Sequence, residues 1–174
     1  MDTLKLVMPN ESMIEEIRAY KQAMLAADSS MDGTGSLRRL DAPEWLVQCA
    51  LTANAETVPE GRVQATQFVC VREGDGRIVG MIDVRHRFND YLRNFGGNIG
   101  YSVRPDERRK GYAGRMLAQA LAYCRELGLE RVMISCLVGN EGSRRTILKN
   151  GGVYDSTVHE PHENVDLERY WITL

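Results

Sequence analysis

The amino-acid sequence predicts an α/β protein of the α+β kind: a mixed, mostly antiparallel sheet of six to seven strands, flanked by about four helices. Short apolar or alternating runs recur along the chain with turn residues between them. An Asp-Gly hairpin signal joins two of these runs, and one strand–helix–strand crossover follows. The 174 residues, 43% hydrophobic and 26% charged, suit a single domain over residues 1–174.

The first third of the chain predicts one strand and two helices. Thr3–Val7 alternates like a strand, and Met13–Ala27 places its apolar residues at helical spacing. A second helix over Pro43–Thr52 is favoured because proline suits the first helical turn. The polar stretch Asp28–Asp41 between the helices reads as a loop.

The middle of the chain predicts an antiparallel meander. Its strands are Thr66–Arg72, Ile78–Arg87 and Asn98–Arg104, separated by the turn Glu73–Arg77 and the loop Phe88–Gly97. Pro105 ends the third strand, because proline cannot donate to the ladder.

The last third begins with the clearest helix, Gly111–Leu127, where small and apolar residues form one continuous stripe from Ala113 to Leu127. Gly128 ends this helix. The remaining predicted elements are the buried strand Arg131–Val138, the helix Gly142–Lys149, and the strands Val153–Val158 and Leu167–Thr173 around the loop His159–Asp166.

Charge and composition exclude several classes of function. The formal net charge of −2 does not favour nucleic acid or an anionic membrane as a partner, and no apolar run is long enough to cross a bilayer. The N-terminus lacks the basic and apolar regions of a signal peptide. The four cysteines are widely spaced among apolar neighbours, which is typical of reduced core thiols and predicts a cytoplasmic protein.

Metal binding is not expected. His159–Glu163 holds two histidines and two glutamates, but a proline within this polar connection favours a hairpin loop over a metal site.

The segment Tyr101–Gly114 has the features of a ligand-binding site. A strand runs into a short turn that opens directly onto the N-terminus of the long helix, where unpaired backbone N–H groups and the helix dipole favour phosphate. Gly111, Ala113 and Gly114 keep side-chain bulk away, while Arg108, Arg109 and Lys110 add positive charge. The segment predicts a diphosphate ligand, although a glycine-rich helix start by itself is also typical of a simple tight turn.

The residues of this segment resemble a known signature. Arg108-Arg109-Lys110-Gly111-Tyr112-Ala113 resembles the acetyl-CoA signature Q/R-x-x-G-x-G/A of the GCN5-related N-acetyltransferase (GNAT) superfamily, and Val103-Arg104-Pro105 precedes it like that family's V-x-P. Downstream, Asn140, Ser143 and Asn150-Gly151 are similar to the family's second motif. The predicted order of elements is similar to the family's over nearly the whole chain.

The resemblance implies that acetyl-CoA is the co-substrate. It also implies which residues hold each part of that molecule. The strand before the signature would splay from its neighbour beyond a bulge, so that Tyr101, Ser102 and Val103 line the pantetheine and an N–H near Val103 holds the thioester carbonyl. The N–H groups of Arg109, Lys110, Gly111, Tyr112, Ala113 and Gly114 would hold the pyrophosphate. Asn140, with Ser143 in the same motif, would lie by the pantetheine arm.

The implied reaction is direct attack of an amine on the thioester, and the usual general acid is missing. Relatives place a tyrosine seven residues after the motif asparagine, where this chain has Ile147. A thiolate leaves tolerably without an acid, because a thiol has a pKa of about 8.5. Tyr154 is a substitute donor, or else a tyrosine satisfied within its sheet.

Two residues are candidates for the base that accepts the amine proton. Asp83 interrupts an apolar strand, so it either faces solvent or serves a purpose there. His86 would titrate near neutral pH, or else is a strand-end histidine bonded to the backbone. The loop Asp28–Asp41 either lines the acceptor pocket, where Asp28 or Asp32 would attract a cationic amine, or is a solvated connection.

Two functions remain open. The first is an N-acetyltransferase acting on a small amine, a peptide N-terminus or a lysine; the second is an acyl-CoA-binding sensor without turnover. A pure interaction module is hard to reconcile with the signature. The stretch Arg85–Asn89 with Gly96–Tyr101 resembles a subgroup of bacterial acetyltransferases, which names no substrate. The resemblance also allows a homodimer.

Overall fold

The structure is a computed structural model that describes residues 1–174. It contains seven strands, four α-helices and three short helical turns. The strands are β1 (Leu4–Val7), β2 (Ala65–Arg72), β3 (Arg77–Arg85), β4 (Ile99–Val103), β5 (Arg131–Leu137), β6 (Val153–Glu160) and β7 (Val165–Thr173). The helices are α1 (Ile14–Ala26), α2 (Ala42–Ala53), α3 (Tyr112–Glu126) and α4 (Glu141–Lys149), with 3₁₀ turns at Glu11–Met13 and Pro105–Glu107 and a π-helical turn at Leu92–Gly96.

The strands form two antiparallel sheets. The first has the order β1-β2-β3-β4 and the second the order β5-β7-β6. The predicted α+β architecture is therefore confirmed, with the division into sheets of four and three strands falling between β4 and β5. The crossover through α3 links the two sheets along the chain.

The first sheet is covered on both faces. On one face, α3 packs its buried stripe against the strands in a core that also includes Phe68, Ile82 and Ile99. On the other face, α1 and α2 pack around Tyr20, Trp45 and other apolar residues. Burial on both sides explains why β2 and β3 read as nearly continuous apolar runs.

Several predicted boundaries are corrected. The loop Phe88–Gly97 contains the π-helical turn, because the Asn89 side chain accepts the Leu92 N–H at 2.9 Å. The hairpin loop His159–Asp166 is shorter than predicted, because β6 and β7 pair as far as Glu160 and Val165. Leu127 lies just beyond α3 and is exposed, so the buried stripe ends at Cys124.

The bulge expected in β4 is absent. The pairing of β3 with β4 runs without a break, and the irregular pairing of this sheet lies between β2 and β3, at Cys70/Val71. No helix is long and apolar enough to cross a membrane.

Candidate functional site

Strands β4 and β5 meet at one end and separate at the other. Asn98, just before β4, donates its backbone N–H to the Met133 carbonyl at 2.7 Å, and its side-chain oxygen accepts the Met133 N–H at 2.9 Å. No ladder joins the two strands. The gap that opens beyond Asn98 and Met133 is called here the cleft.

The backbone of β4 points unpaired groups into the cleft. The ladder between β3 and β4 is flanked by one hydrogen bond at each end. At one end the Arg85 N–H donates to the Asn98 carbonyl, and at the other the Arg104 N–H donates to the Val79 carbonyl. Because pairing groups alternate along an antiparallel strand, Tyr101 and Val103 direct their N–H and C=O groups away from β3. The Val103 carbonyl accepts the Arg108 Nε–H at 3.0 Å, while the N–H groups of both residues remain free.

The segment 109–114 presents a run of free backbone N–H groups. From Arg109 to Gly114, none of them donates to an acceptor within the protein. Arg109 and Gly111 have positive φ angles of 62° and 78°, and successive N–H groups in such a turn form a concavity that suits an anion. Helix α3 begins directly afterwards at Tyr112, and its dipole adds to the positive potential.

The charged side chains of this segment differ in what they contact. Lys110 pairs with Glu107 at 2.7 Å, so part of its charge is neutralised. Arg108 bends back over β4 and also donates to the Ser29 Oγ at 2.6 Å. Arg109 is exposed and has no salt-bridge partner. The Tyr112 side chain is buried and its hydroxyl bonds to Asp2, so only its backbone faces the site.

A buried glutamate holds the turn before the segment. Glu107 is 1% exposed and accepts from Arg72 at 2.9 Å, from Arg77 and from Lys110. Burial by itself would raise the pKa of Glu107, but the bonds from Lys110 and Arg72 outweigh burial and keep that pKa below its ordinary value. The network therefore fixes where the 109–114 segment starts.

Helix α4 supplies the opposite side of the cleft. Asn140 caps the helix by accepting the Ser143 N–H at 3.2 Å, which is why asparagine is favoured there. The Ser143 Oγ lies 2.8 Å from the Tyr101 hydroxyl, so these two side chains bridge β4 and α4. Burial raises the pKa of Tyr101 to about 12. Ile147, at the position of the missing tyrosine, is fully buried in the core.

Ser102 points the other way. Its hydroxyl bonds to the buried Tyr20 hydroxyl at 2.8 Å, on the face covered by α1. The backbone of Ser102 pairs with Met81 of β3, so neither its side chain nor its backbone polar groups face the cleft, and the expectation that Ser102 lines the pantetheine has no support from its position. Asn150, from the second motif, donates to the Gly114 carbonyl at 3.3 Å and so ties the end of α4 to the start of α3.

A cavity of about 490 Å³ lies on the α2 side of the first sheet and is called here the α2 cavity. Asp83 and Arg85 of β3 form part of its wall. The Asp83 carboxylate accepts the Arg85 Nε–H at 3.1 Å and the Gly100 N–H, on β4, at 3.3 Å. Asp83 is thus a buried carboxylate next to the splayed strand, and it does not face bulk solvent.

The loop between α1 and α2 reaches both the α2 cavity and β4. Gly33 lies so close to Gly100 that an added Cβ would stand 2.3 Å from the Gly100 carbonyl oxygen. Gly35, Ser36 and Arg39 line the cavity, whereas Asp28 and Asp32 do not. The hypothesis that these two aspartates attract an amine there therefore has no support from their positions.

The other two candidates for catalysis lie apart from the α2 cavity and the cleft. His86 bonds through Nε2 to the Thr66 hydroxyl at 2.8 Å and packs beside Tyr123 of α3, and burial lowers its pKa. Tyr154 is on β6, separated from β5 by β7, which places it roughly 10 Å from β5 at the usual strand spacing. Its hydroxyl bonds to Thr157 at 2.8 Å.

Sequence reasoning missed three features of this site. They are the Tyr101–Ser143 bridge, the Glu107 network and the two arginines Arg39 and Arg62 at the α2 cavity. Of these, only Glu107 gave a signal, as one of two acidic residues directly before the basic run Arg108–Lys110.

The comparison with protein families gives one match that spans most of the chain. The model of the acetyltransferase (GNAT) domain matches residues 11–153. No curated protein sequence matches at a significant level.

Solved structures share the fold. The chain is similar to the self-immunity acetyltransferase MccE in complex with acetyl-CoA and AMP, with 17% identity and a TM-score of 0.74 over 100% of this chain and 94% of that one. It is also similar to a GNAT-family acetyltransferase from Streptococcus pneumoniae, with 14% identity and a TM-score of 0.70 over 99% and 100% of the two chains. A chimera of the Vibrio cholerae spermidine N-acetyltransferase SpeG with hSSAT gives 16% identity and a TM-score of 0.69 over 98% and 95%.

Proposed function

The chain belongs to the GNAT acetyltransferase family, and we propose from this premise that it moves the acetyl group of acetyl-CoA to a primary amine on a small molecule, a peptide N-terminus or a lysine. The observation that carries the proposal is the run of free N–H groups from Arg109 to Gly114. It lies one short turn after the free N–H groups of Tyr101 and Val103. Free N–H groups at the start of a helix point outward and, together with the helix dipole, form a site for a phosphate group.

The two sets of N–H groups fit the two chemically different parts of acetyl-CoA. The 109–114 segment would hold the pyrophosphate, with charge added by Arg108, Arg109 and the shared Lys110. The edge of β4 would pair with the amide groups of the pantetheine arm in the manner of an added strand. Asn140 and Ser143 would border this arm from the α4 side.

The residues around the cleft assist a direct transfer. The amine nitrogen forms a bond to the acetyl carbon, the carbon–sulfur bond breaks, and sulfur leaves as the thiolate. One of the free N–H groups of β4, at Tyr101 or Val103, would stabilise the negative charge that develops on the carbonyl oxygen. The Tyr101 hydroxyl stays protonated at neutral pH and donates a hydrogen bond to the departing sulfur, a role that Ile147 cannot fill.

Asp83 is the candidate that receives the amine proton. An alkyl ammonium group has a pKa of about 10.4, so it must lose a proton before it attacks. Asp83 lies against Gly100 and uses two of its roughly four lone-pair positions on Arg85 and Gly100. The rest are free to attract the ammonium group and to pass its proton to water.

A second function, acyl-CoA binding without turnover, is favoured by one observation. The position of the usual tyrosine is an isoleucine that is buried in the core, so no simple rotation would return a donor to that place. Both functions require acetyl-CoA to bind, but only the enzyme releases free thiol.

The state of the four cysteines indicates the kind of cellular compartment in which the protein works. All are free thiols, and burial raises the pKa of Cys70, Cys124 and Cys136. Unpaired cysteines in a core are typical of a reducing compartment, which is the basis for proposing a cytoplasmic location.

The test is a calorimetric titration with acetyl-CoA, followed by a thiol-release screen over polyamines, aminoglycosides, amino acids and short peptides. We expect micromolar binding and release with one class of amine. Binding without release on any amine would favour the sensor, and failure to bind would refute both functions.

A further inference from the structure

The α2 cavity has the size of a small-molecule site and opens beside the splayed strand. Its volume of about 490 Å³ lies within the range of sites that enclose small ligands. It is bounded by α2, the loop before it, the ends of β2 and β3, and the π-helical turn. A long polypeptide would fit there only by its terminal residue or by one side chain.

The charges that line this cavity are unequal. Arg39, Arg62 and Arg85 contribute three positive charges, and Asp83 is the one acidic residue in the wall. Arg85 is already engaged, because it pairs with Asp83 and also donates from Nη1 to the Gly96 carbonyl at 3.1 Å.

Arg39 and Arg62 have no acidic partner. Neither forms a salt bridge, and the recorded polar contact of Arg62 is a 3.2 Å bond from Nη2 to the Ser36 hydroxyl. Arg39 and Arg62, both exposed, therefore line the cavity without a counter-charge from the protein. Arginine side chains are those best suited to hold a carboxylate or phosphate, often through two hydrogen bonds at once.

The lining places its one carboxylate, to which Arg85 already donates, and its two arginines without acidic partners on different stretches of the chain. Asp83 lies on β3, 3.3 Å from the Gly100 N–H of β4, whereas Arg39 belongs to the loop before α2 and Arg62 to the stretch before β2. A molecule with an amine at one end and an anionic group at the other matches this arrangement. A polyamine does not match it, because its second ammonium group would face two arginines.

We propose that the acceptor is an amine that also carries an anionic group, with an α-amino acid as the leading example. Asp83 receives the amine next to β4, and Arg39 with Arg62 receives the anionic group. The inference rests on the proposed acetyl transfer for the role of the amine, but the capture of an anion in the α2 cavity can be tested without turnover.

The first experiment compares amines that differ only by the anionic group. L-phenylalanine is paired with 2-phenylethylamine, L-leucine with isopentylamine, and L-lysine with cadaverine; O-phosphoethanolamine with ethylamine tests phosphate in place of carboxylate. We expect kcat/KM to favour the anionic member of at least one pair by tenfold or more, and to fall with rising salt. Equal or better turnover of the members that lack the anionic group, or of spermidine, would overturn the proposal and leave acetyl transfer intact.

The second experiment removes the arginines. Arg39→Gln and Arg62→Gln should each lower kcat/KM for the preferred anionic amine about tenfold, raise KM more than they lower kcat, and leave the affinity for acetyl-CoA unchanged. Arg87→Gln is the matched control, because Arg87 is an exposed arginine that does not line the cavity and forms no salt bridge. An equal effect of Arg87→Gln would mean that only overall charge matters, which contradicts the proposal.

A binding measurement keeps the inference independent of catalysis. Calorimetric titration of the same anionic amines, in the absence of acetyl-CoA, should detect binding to the wild-type protein that the Arg39→Gln/Arg62→Gln double variant loses. Absence of thiol release together with this loss would refute the proposed enzyme and support the anion site. Binding that is unchanged in the double variant, or absent from the wild type with every probe, would refute the site.

Discussion

Gly111 lies where the turn after β4 becomes helix α3. Its φ of 78° is in the left-handed region that favours glycine, and an added Cβ would meet no atom within 4 Å. A side chain at position 111 would therefore not collide with other atoms of the protein. Its effects would come from backbone strain and from its influence on the N–H groups of the 109–114 segment.

We expect Gly111→Glu to abolish measurable acetyl-CoA binding, because a carboxylate would stand among the N–H groups that receive the pyrophosphate. Gly111→Gln is the matched control, since it has the same shape and the same backbone strain without the charge. Calorimetry should show at least tenfold weaker binding for Glu than for Gln. Equal affinities for the two variants would place the pyrophosphate elsewhere.

Tyr101 gives the second prediction for a single residue. Removing its hydroxyl in Tyr101→Phe should lower kcat about tenfold with little change in the KM for acetyl-CoA, because the hydrogen bond to sulfur forms mainly as the sulfur departs. Tyr154→Phe should leave the steady-state rate unchanged, because Tyr154 lies on β6. The reverse pattern would assign the donor to Tyr154.

Among single residues, the sequence predicts those whose role depends on the local backbone conformation. Gly111 and the helix start after it are local features, so their pattern is visible in a short stretch of chain. The Tyr101–Ser143 bridge is not visible, because it joins residues 42 positions apart that only the folded chain brings together. The same reason hides the pairing of Asp83 with the Gly100 N–H.

The 3₁₀ turn Pro105–Glu107 is the element that positions the 109–114 segment. Glu107 joins it to β2 through Arg72 and to β3 through Arg77. We expect Glu107→Gln to destabilise the protein by about 2 kcal/mol at pH 7, because its charge-assisted hydrogen bonds are weakened while Arg72 and Arg77 keep Asp75 and Asp106 as partners. It should also weaken acetyl-CoA binding, since Lys110 loses its partner and the segment loses its support.

The cost of this substitution should depend on pH. The pKa of Glu107 is lower in the folded protein than its ordinary value of 4.5, so its stabilising effect is full above that value and is lost as pH falls through the folded pKa. The difference in unfolding free energy between wild type and Glu107→Gln should therefore shrink below about pH 4.5. Urea unfolding at several pH values measures it, and a constant difference would show that charge is not the cause.

Elements with strong internal patterns were predictable, and elements set by neighbours were not. The stripe of α3 and the apolar runs of β2 and β3 are visible in the sequence from the spacing of their apolar residues. The π-helical turn Leu92–Gly96 has no such pattern and depends on the side-chain bond from Asn89. Of the residues that the structure adds to β6 and β7, His159, Glu160 and Asp166 are polar, and they join the ladder because the two strands meet.

In the whole molecule, the two sheets are joined directly at one end of the cleft. The bonds between Asn98 and Met133 hold that end, and no ladder closes the other. A ligand that fills the cleft should therefore stabilise the native state as a unit. At acetyl-CoA concentrations of 100 times Kd, we expect about 2.7 kcal/mol of stabilisation, or a rise in Tm of roughly 5 to 10 °C.

This rise can be measured by differential scanning fluorimetry against a control of free adenosine, which lacks the groups that occupy the cleft. An equal rise with adenosine would argue against binding along β4.

The sequence predicted the order of elements, and with it the architecture, because each connection is short and each element is locally encoded. It also predicted the splay, although only through the family resemblance. The α2 cavity could not be predicted, because its walls come from five separate stretches of chain between residues 35 and 92. Arg39 and Arg62 come together at this cavity only in the folded chain, so nothing in the sequence distinguishes them from other surface arginines.

The most direct test of the site is hydrogen–deuterium exchange with and without acetyl-CoA, because free N–H groups exchange quickly and bound ones do not. We expect peptides covering Arg109–Gly114 and Tyr101–Val103 to gain protection on binding, while peptides from β6 remain unchanged. Binding that protects other regions and leaves Arg109–Gly114 as fast as before would contradict the proposed site.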